Sequence, residues 1–173
     1  TNNRLAELSA HNVDALYLEL NTALQYVRNS AAAFSLLDDF ASPQAAELLR
    51  SALEFSDFNR IWLVDADNVG RDLRGRMTEI QGVKAFNQAK EGRSGILMVR
   101  ESAYSNGAIF LIYAPIFRNG QFAGYLLGVY DIRSLVVQTE TPQFNGLGYI
   151  HVFDLAGECV IESENADSLI GGR

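Results

Sequence analysis

From Asn3 to Leu37, apolar residues recur at Leu5, Leu8, Val13, Leu16, Leu20, Leu24, Val27, Ala31 and Phe34, with no glycine or proline in the stretch. Steps of three to five residues return to one side of a helix, so the spacing predicts a single long amphipathic helix. Such a helix would be about 50 Å long, longer than a compact domain of this size requires. Two readings follow: an ordinary core helix, or a stalk or dimer helix that continues towards a membrane. Ser42-Pro43 then opens a second helix, with serine at the cap and proline at the first turn, and Ala45 to Phe55 supplies its apolar face.

Past that point the pattern shortens to strand length. Ile61 to Val64 is an apolar run followed by a polar turn, Asp65 to Gly70, in which Asp and Asn cap the backbone and glycine supplies positive φ. The charged stretch Arg71 to Arg76 is expected to hold a second strand. Ile80 to Glu91 reads as a short helix ending near Gly92, and Gly95 to Glu101 as another strand. Ser105-Asn106-Gly107 turns the chain into two long apolar strands, Ala108–Phe117 and Phe122–Ile132, separated by Arg118-Asn119-Gly120-Gln121. Asn-Gly between apolar runs is a strong hairpin signal, because the favoured two-residue turn needs positive φ at both central residues. Arg133 to Val137 reads as a short helix. Tyr149–Asp154 and Glu158–Glu162 read as a last strand pair around Ala156-Gly157, and the polar tail Ser163–Arg173 as loose.

Two helices, then strands with one helical insert, predict an α+β fold: a long N-terminal helix packed on a central antiparallel sheet. The expected division is residues 1–148 as the main domain and 149–173 as the final strand pair and tail. Composition agrees with one folded domain: of 173 residues, 48% are hydrophobic and 20% charged. The formal net charge of −7 comes with scattered Lys and Arg rather than a basic stripe, which argues against a nucleic-acid partner. No apolar run approaches the length needed to cross a bilayer. Thr1 and Gly172-Arg173 read as the ends of a segment excised from a longer protein, so membrane segments beyond either end are compatible with the sequence.

Catalytic and metal chemistry find little support. Cys159 is the single cysteine, and His11 and His151 are the two histidines, too few for a metal cluster or a nucleophile–base pair. The run Asp65-Ala-Asp-Asn-Val-Gly70 fails as a calcium loop, with Val69 at the fifth position and Arg76 at the twelfth. Phosphate-binding glycine motifs are absent, and Gly92-Arg-Ser-Gly95 is one residue short of a nucleophile elbow. No cofactor is implied. A small-molecule pocket is the better-supported idea, since such pockets are mostly apolar with a few placed polar groups. The hairpin offers Tyr113, Phe117, Tyr125 and Tyr130, and Arg100 and Tyr104 flank the strand before it. Asp131 ends the second hairpin strand. An acid there is either an exposed strand end with an ionic partner or an acceptor for a ligand amine.

These elements together resemble the extracytoplasmic PAS-like sensor domains called Cache, with the CHASE type as a near neighbour. The likeness is carried by the long first helix and by Ile61-Trp-Leu-Val-Asp-Ala-Asp67. It continues in Phe86 to Ala89 with Gly92, and in Tyr113-Ala-Pro-Ile-Phe-Arg-Asn-Gly120 running on to Gly124-Tyr-Leu-Leu-Gly-Val-Tyr-Asp-Ile132. The resemblance implies a non-enzymatic sensory domain outside the cytoplasmic membrane of a bacterial receptor, whose output module is a diguanylate cyclase, histidine kinase or chemoreceptor. It implies a small ligand, often an amino acid, a carboxylate or an amine. The residues expected at the ligand site are Asp131, Tyr113, Arg100, Tyr104, Phe86 and Tyr130, and a homodimer is expected through the first helix. In the amino-acid-binding branch Asp131 falls where the ligand amine is held. The branch's Arg-x-Trp-Tyr-x-x-Ala motif aligns with Val83–Ala89, where Ala89 agrees, Phe86 stands in the Tyr place, and Arg and Trp are absent. Residues from Tyr149 to Gly157 resemble the strand and turn that open a second, membrane-proximal unit in double Cache domains, or equally that close a single one. The alternative is a ligand-free dimerisation or protein-interaction module of a membrane receptor.

Overall fold

The structure, a computed structural model, describes residues 2–80, 83–99, 109–131, 151–153 and 159–162. The first helix, α1, runs Asn2–Phe34, and the second, α2, runs Pro43–Glu54. Ser42 caps α2 in extended geometry, accepting the Ala45 N–H at 3.2 Å on its hydroxyl. Both helices bury one stripe at the expected period: Val27, Ala31 and Phe34 on α1, and Ala45, Leu49 and Ala52 on α2. The Tyr26 hydroxyl ties them together, donating to the Ala52 carbonyl at 3.0 Å.

Six strands follow in the main sheet: β1 (Arg60–Asp65), β2 (Val69–Arg71), β3 (Met77–Glu79), β4 (Gly95–Val99), β5 (Ile109–Arg118) and β6 (Gln121–Asp131). Helix α3 (Val83–Lys90) lies between β3 and β4 in sequence, and the spatial order of strands is β3-β2-β1-β6-β5-β4. The expected α+β fold, a long N-terminal helix with an antiparallel sheet, is what forms. The β5–β6 turn takes the expected shape, with φ of 49° at Asn119 and 76° at Gly120. A further pair, β7 (His151–Phe153) and β8 (Cys159–Glu162), is antiparallel with His151 opposite Glu162. The chain divides into two compact units, Thr1–Met98 with Phe110–Tyr130, and Val99–Ile109 with Asp131–Arg173. The helix expected at Arg133–Val137 and the tail from Ser163 lie outside the described residues.

Three local expectations are corrected. Arg71–Arg76 is not a strand but mostly a turn. The Asp72 carboxylate accepts the Arg74 and Arg76 N–H groups, each at 2.9 Å, and this folds β2 back onto β3. Second, the short helix starts at Val83 rather than Ile80. Ile80 is buried and held to the sheet by Asn68, which takes its N–H at 3.1 Å and donates to its carbonyl at 3.0 Å. Third, the positive φ after β1 belongs to Asn68 (63°), not to Gly70. Gly70 is required for a different reason: a Cβ there would meet the Ile80 side chain at 2.6 Å. The capping role expected of Asp65 holds, since its Oδ1 accepts the Asp67 N–H at 2.9 Å and the Val69 N–H at 3.0 Å.

Gly124 breaks the regular alternation of β6. Phe122 and Tyr125 are three residues apart, yet both reach Phe86 of α3, with ring centroids 6.0 and 6.3 Å away. A regular strand would send them to opposite faces. The φ of 148° at Gly124 accommodates the change. A side chain is excluded there, because a Cβ would sit 2.0 Å from the Val64 carbonyl oxygen. Beyond Gly124 the alternation resumes, so Gly128 and Tyr130 face α1 and α2 while Tyr125 faces α3.

Candidate functional site

The two faces of the sheet carry different chemistry. Under α1 and α2 the contacts are large and apolar. The Phe58 ring lies against Gly128, where an added Cβ would come within 2.7 Å of it. Phe58 also packs edge-on to Tyr130 at 6.1 Å and near Tyr26 at 6.5 Å. The Tyr130 hydroxyl reaches α1 and donates to Glu19 Oε1 at 3.1 Å. Burial, the Glu19 carboxylate and Asp57 all push that hydroxyl above the ordinary tyrosine range.

Under α3 the layer is thinner and more polar. The buried positions of α3 are Ala85 and Ala89, small enough to let the helix approach the strands. Phe86, Phe122 and Phe117 form a chain of edge-to-face rings with centroids 5.8 to 6.0 Å apart, and Lys90 Nζ sits 5.9 Å from the Phe86 centroid. Two hydroxyl–amide pairs thread this layer. Tyr113 donates to Gln88 Oε1, and Tyr125 donates to Asn68 Oδ1 at 2.7 Å. Burial raises the Tyr113 hydroxyl above its usual value, and the charge of Arg93 pulls it partly back. Gly95 leaves room for this tyrosine, since a Cβ there would lie 2.8 Å from its hydroxyl oxygen.

Tyr113 and Phe86, both expected at the site, therefore meet in one layer between the sheet and α3. Tyr130 is not brought to them; it faces the α1–α2 side. Asp131 is half-buried at the last position of β6, one residue past Tyr130, so alternation turns it to the other face of the sheet. Arg100 and Tyr104 lie outside the described residues. Sequence reasoning did not single out Gln88 or the side-chain role of Asn68. Gln88 was within reach of a spacing argument: it lies three residues after Ala85 and beside Ala89, on the covered side of α3. Among the described residues no group of His, Cys, Asp or Glu could hold a metal, and no helix is long and apolar enough to cross a membrane.

No family model and no curated protein matches the chain. Solved structures do. The ligand-binding domain of the Pseudomonas fluorescens chemoreceptor CtaA, in complex with L-alanine, superposes with a TM-score of 0.69 at 20% identity, over 95% of this chain and 72% of that one. The ligand-binding domain of the Pseudomonas aeruginosa amino acid chemoreceptor PctC, in complex with GABA, gives 0.66 at 18% identity, over 92% and 74%. An extracellular ligand-binding receptor from Desulfohalobium retbaense gives 0.74 at 15% identity, over 95% of this chain but 32% of its own.

The fold is that of a chemoreceptor ligand-binding domain. This agrees with the Cache resemblance read from the first helix, the Asp65 turn and the hairpin. At these identities the likeness establishes the fold alone.

Proposed function

We propose that the chain is the extracytoplasmic sensory domain of a bacterial membrane receptor and binds a small molecule without transforming it. The observation that carries this is the fold, shared over more than nine-tenths of the chain with the ligand-binding domains of three receptors. The layer between the sheet and α3 supports a ligand role for Tyr113 and Phe86. It offers aromatic surface, two hydroxyl–amide pairs and thin helical cover, the usual materials of a small-molecule site. A ligand with an amine or a carboxylate suits these groups. The absence of Arg and Trp from Val83–Ala89 separates this layer from the motif of the amino-acid-binding branch. Binding then shifts α1, biasing two arrangements that the receptor transmits to a diguanylate cyclase or histidine kinase module. This requires the ligand to prefer one arrangement.

The test is a thermal-shift screen of the chain against amino acids, small amines and small carboxylates. Stabilisation of several degrees by one class, lost in Tyr113→Phe and in Asp131→Ala, is the expected result. A flat response to every class would remove the reading. A ligand-free dimer module then becomes the better account. One observation favours that second reading: from Asp14 to Tyr26 no residue of α1 is buried, and Tyr17 and Leu18 are 71% and 68% exposed. A homodimer through this half of the helix is compatible with both readings and is checked by sedimentation at increasing concentration.

A further inference from the structure

A cavity lies away from α3, at the end of the sheet covered by the α1–α2 connection. It has a volume of about 300 Å³ and is floored by Leu63, Val69 and Ala123, with Phe40 and Met77 as walls. The same interruption at Gly124 that sends Phe122 towards α3 turns Ala123 into this cleft. Charged groups of both signs ring it. Asp38, Asp39, Asp65 and Asp67 supply carboxylates, and Arg71 and Arg118 supply guanidinium groups.

The charges are placed but not paired. Asp65 and Asp39 spend an oxygen each on backbone N–H groups, those of Asp67 and Val69 and that of Ala41. The carboxylates of Asp38 and Asp67 accept no hydrogen bond among the described residues, and neither arginine forms an ion pair there. Arg71 Nη2 lies 3.9 Å from the Met77 sulfur. Arg118 is held over the Phe40 ring at 4.4 Å and donates one N–H to the Asp38 carbonyl at 2.6 Å. Its Nε is buried and has no acceptor among the described residues. The stack on Phe40 and the bond to the Asp38 carbonyl thus fix the arginine fork in position.

We propose that this cleft is a second small-molecule site, and that its ligand is a basic amino acid or a compound of that class. The carboxylate of the ligand would meet the guanidinium groups of Arg71 and Arg118, and its cationic groups would meet Asp38 and Asp67. Four carboxylates against two guanidinium groups leave an excess of negative charge, which selects a net cation over a neutral zwitterion. The apolar floor takes the aliphatic stem. The site is separate from the α3 layer and does not depend on it.

L-Lysine and L-arginine are the probes, titrated into the 173-residue chain, with binding followed by backbone amide shifts and by calorimetry. The expected result is saturable binding of at least one of them, with shifts at the amides of Phe40, Ala41, Ala66 and Asp67. Cadaverine, which lacks the carboxylate, and hexanoate, which lacks the amines, should each bind about tenfold more weakly or worse. Asp38 and Asp67 are exposed, so the double variant D38N/D67N should keep its melting temperature and lose the binding. Ala123→Phe should fill the cleft and do the same. Absence of saturable binding by both probes would overturn the proposal, and so would binding that D38N/D67N leaves intact. Shifts confined to the amides of Phe86–Lys90 would also refute it, while leaving the α3 reading standing.

Discussion

The face of the sheet under α1 and α2 and the face under α3 are built from the same strands but sealed differently. On the first, the end of α1 buries Val27, Ala31 and Phe34 and α2 buries Ala45, Leu49 and Ala52, and the Phe58 ring closes directly over the Gly128 backbone. On the second, one helix of eight residues presents two alanines and a half-buried phenylalanine, and hydroxyl–amide pairs do part of the holding. Apolar ring-on-backbone packing has one good solution and resists rearrangement. Hydroxyl–amide pairs under a short helix can be exchanged for a ligand's own polar groups at little cost. On the reading proposed above, a ligand would enter the second face, while the first keeps its packing.

Gly124 is where the two faces are set against each other, so its replacement gives the largest expected effect. Gly124→Ala puts a methyl 2.0 Å from the Val64 carbonyl oxygen and requires a non-glycine residue at φ 148°. The strand must then either move away from β1 or resume regular alternation, and the latter withdraws Phe122 or Tyr125 from Phe86. The expected loss is about 3 kcal/mol or more, a fall in melting temperature of roughly 10 °C for a domain of this size. A near-neutral Gly124→Ala, measured by thermal melt, would mean that the interrupted alternation is not what assigns residues to the two faces.

The next test compares the faces directly. Phe58 is 7% exposed and packs against Gly128, Tyr130 and Tyr26, so Phe58→Ala should cost about 3 to 4 kcal/mol. Phe86 is half-buried beneath a short helix that can settle into the space, so Phe86→Ala should cost about half that. Equal losses in urea denaturation would remove the distinction between a face that keeps its packing and one that a ligand enters.

How much of this was legible in the sequence depends on the range of the cause. The periodicity of α1, the Ser42-Pro43 cap and the Asn119-Gly120 turn are local, and each forms where the residues predict. The Arg71–Arg76 and Ile80 errors have one origin. Asp72 and Asn68 use their side chains to organise backbone, and short polar side chains that bond to nearby backbone look like ordinary loop residues in a sequence. The faces of β6 were not legible, because an alternation rule assumes no interruption and Gly124 gives no sign of its conformation by identity alone. Tyr130 illustrates the consequence. It follows Gly124 in an apolar strand beside Tyr125, but one step of parity places it under α1 rather than with Tyr113 and Phe86. Gln88 and the Asn68–Tyr125 pair were hidden for another reason: each depends on a partner 25 or 57 residues away.

The smallest expected effect uses the two buried tyrosines as reporters of their faces. Removing either hydroxyl leaves its partner short of a donor, so Tyr130→Phe and Tyr113→Phe should each cost about 1 kcal/mol at neutral pH. Their pH dependence should differ. In both cases burial raises the folded-state pKa above the unfolded value of 10.0. The neutral hydroxyl is therefore the form the fold prefers. Its contribution is complete below about pH 10 and is lost as pH rises from there through the folded-state value. Around Tyr130 the carboxylates of Glu19 and Asp57 add to the burial, whereas around Tyr113 the Arg93 charge opposes it. Urea denaturation between about pH 9 and pH 11 should show the parent chain losing stability with rising pH. Tyr130→Phe should flatten that slope more than Tyr113→Phe. A larger flattening from Tyr113→Phe would mean that the α3 layer is the drier and more firmly closed of the two, and would reverse the reading of which face a ligand enters.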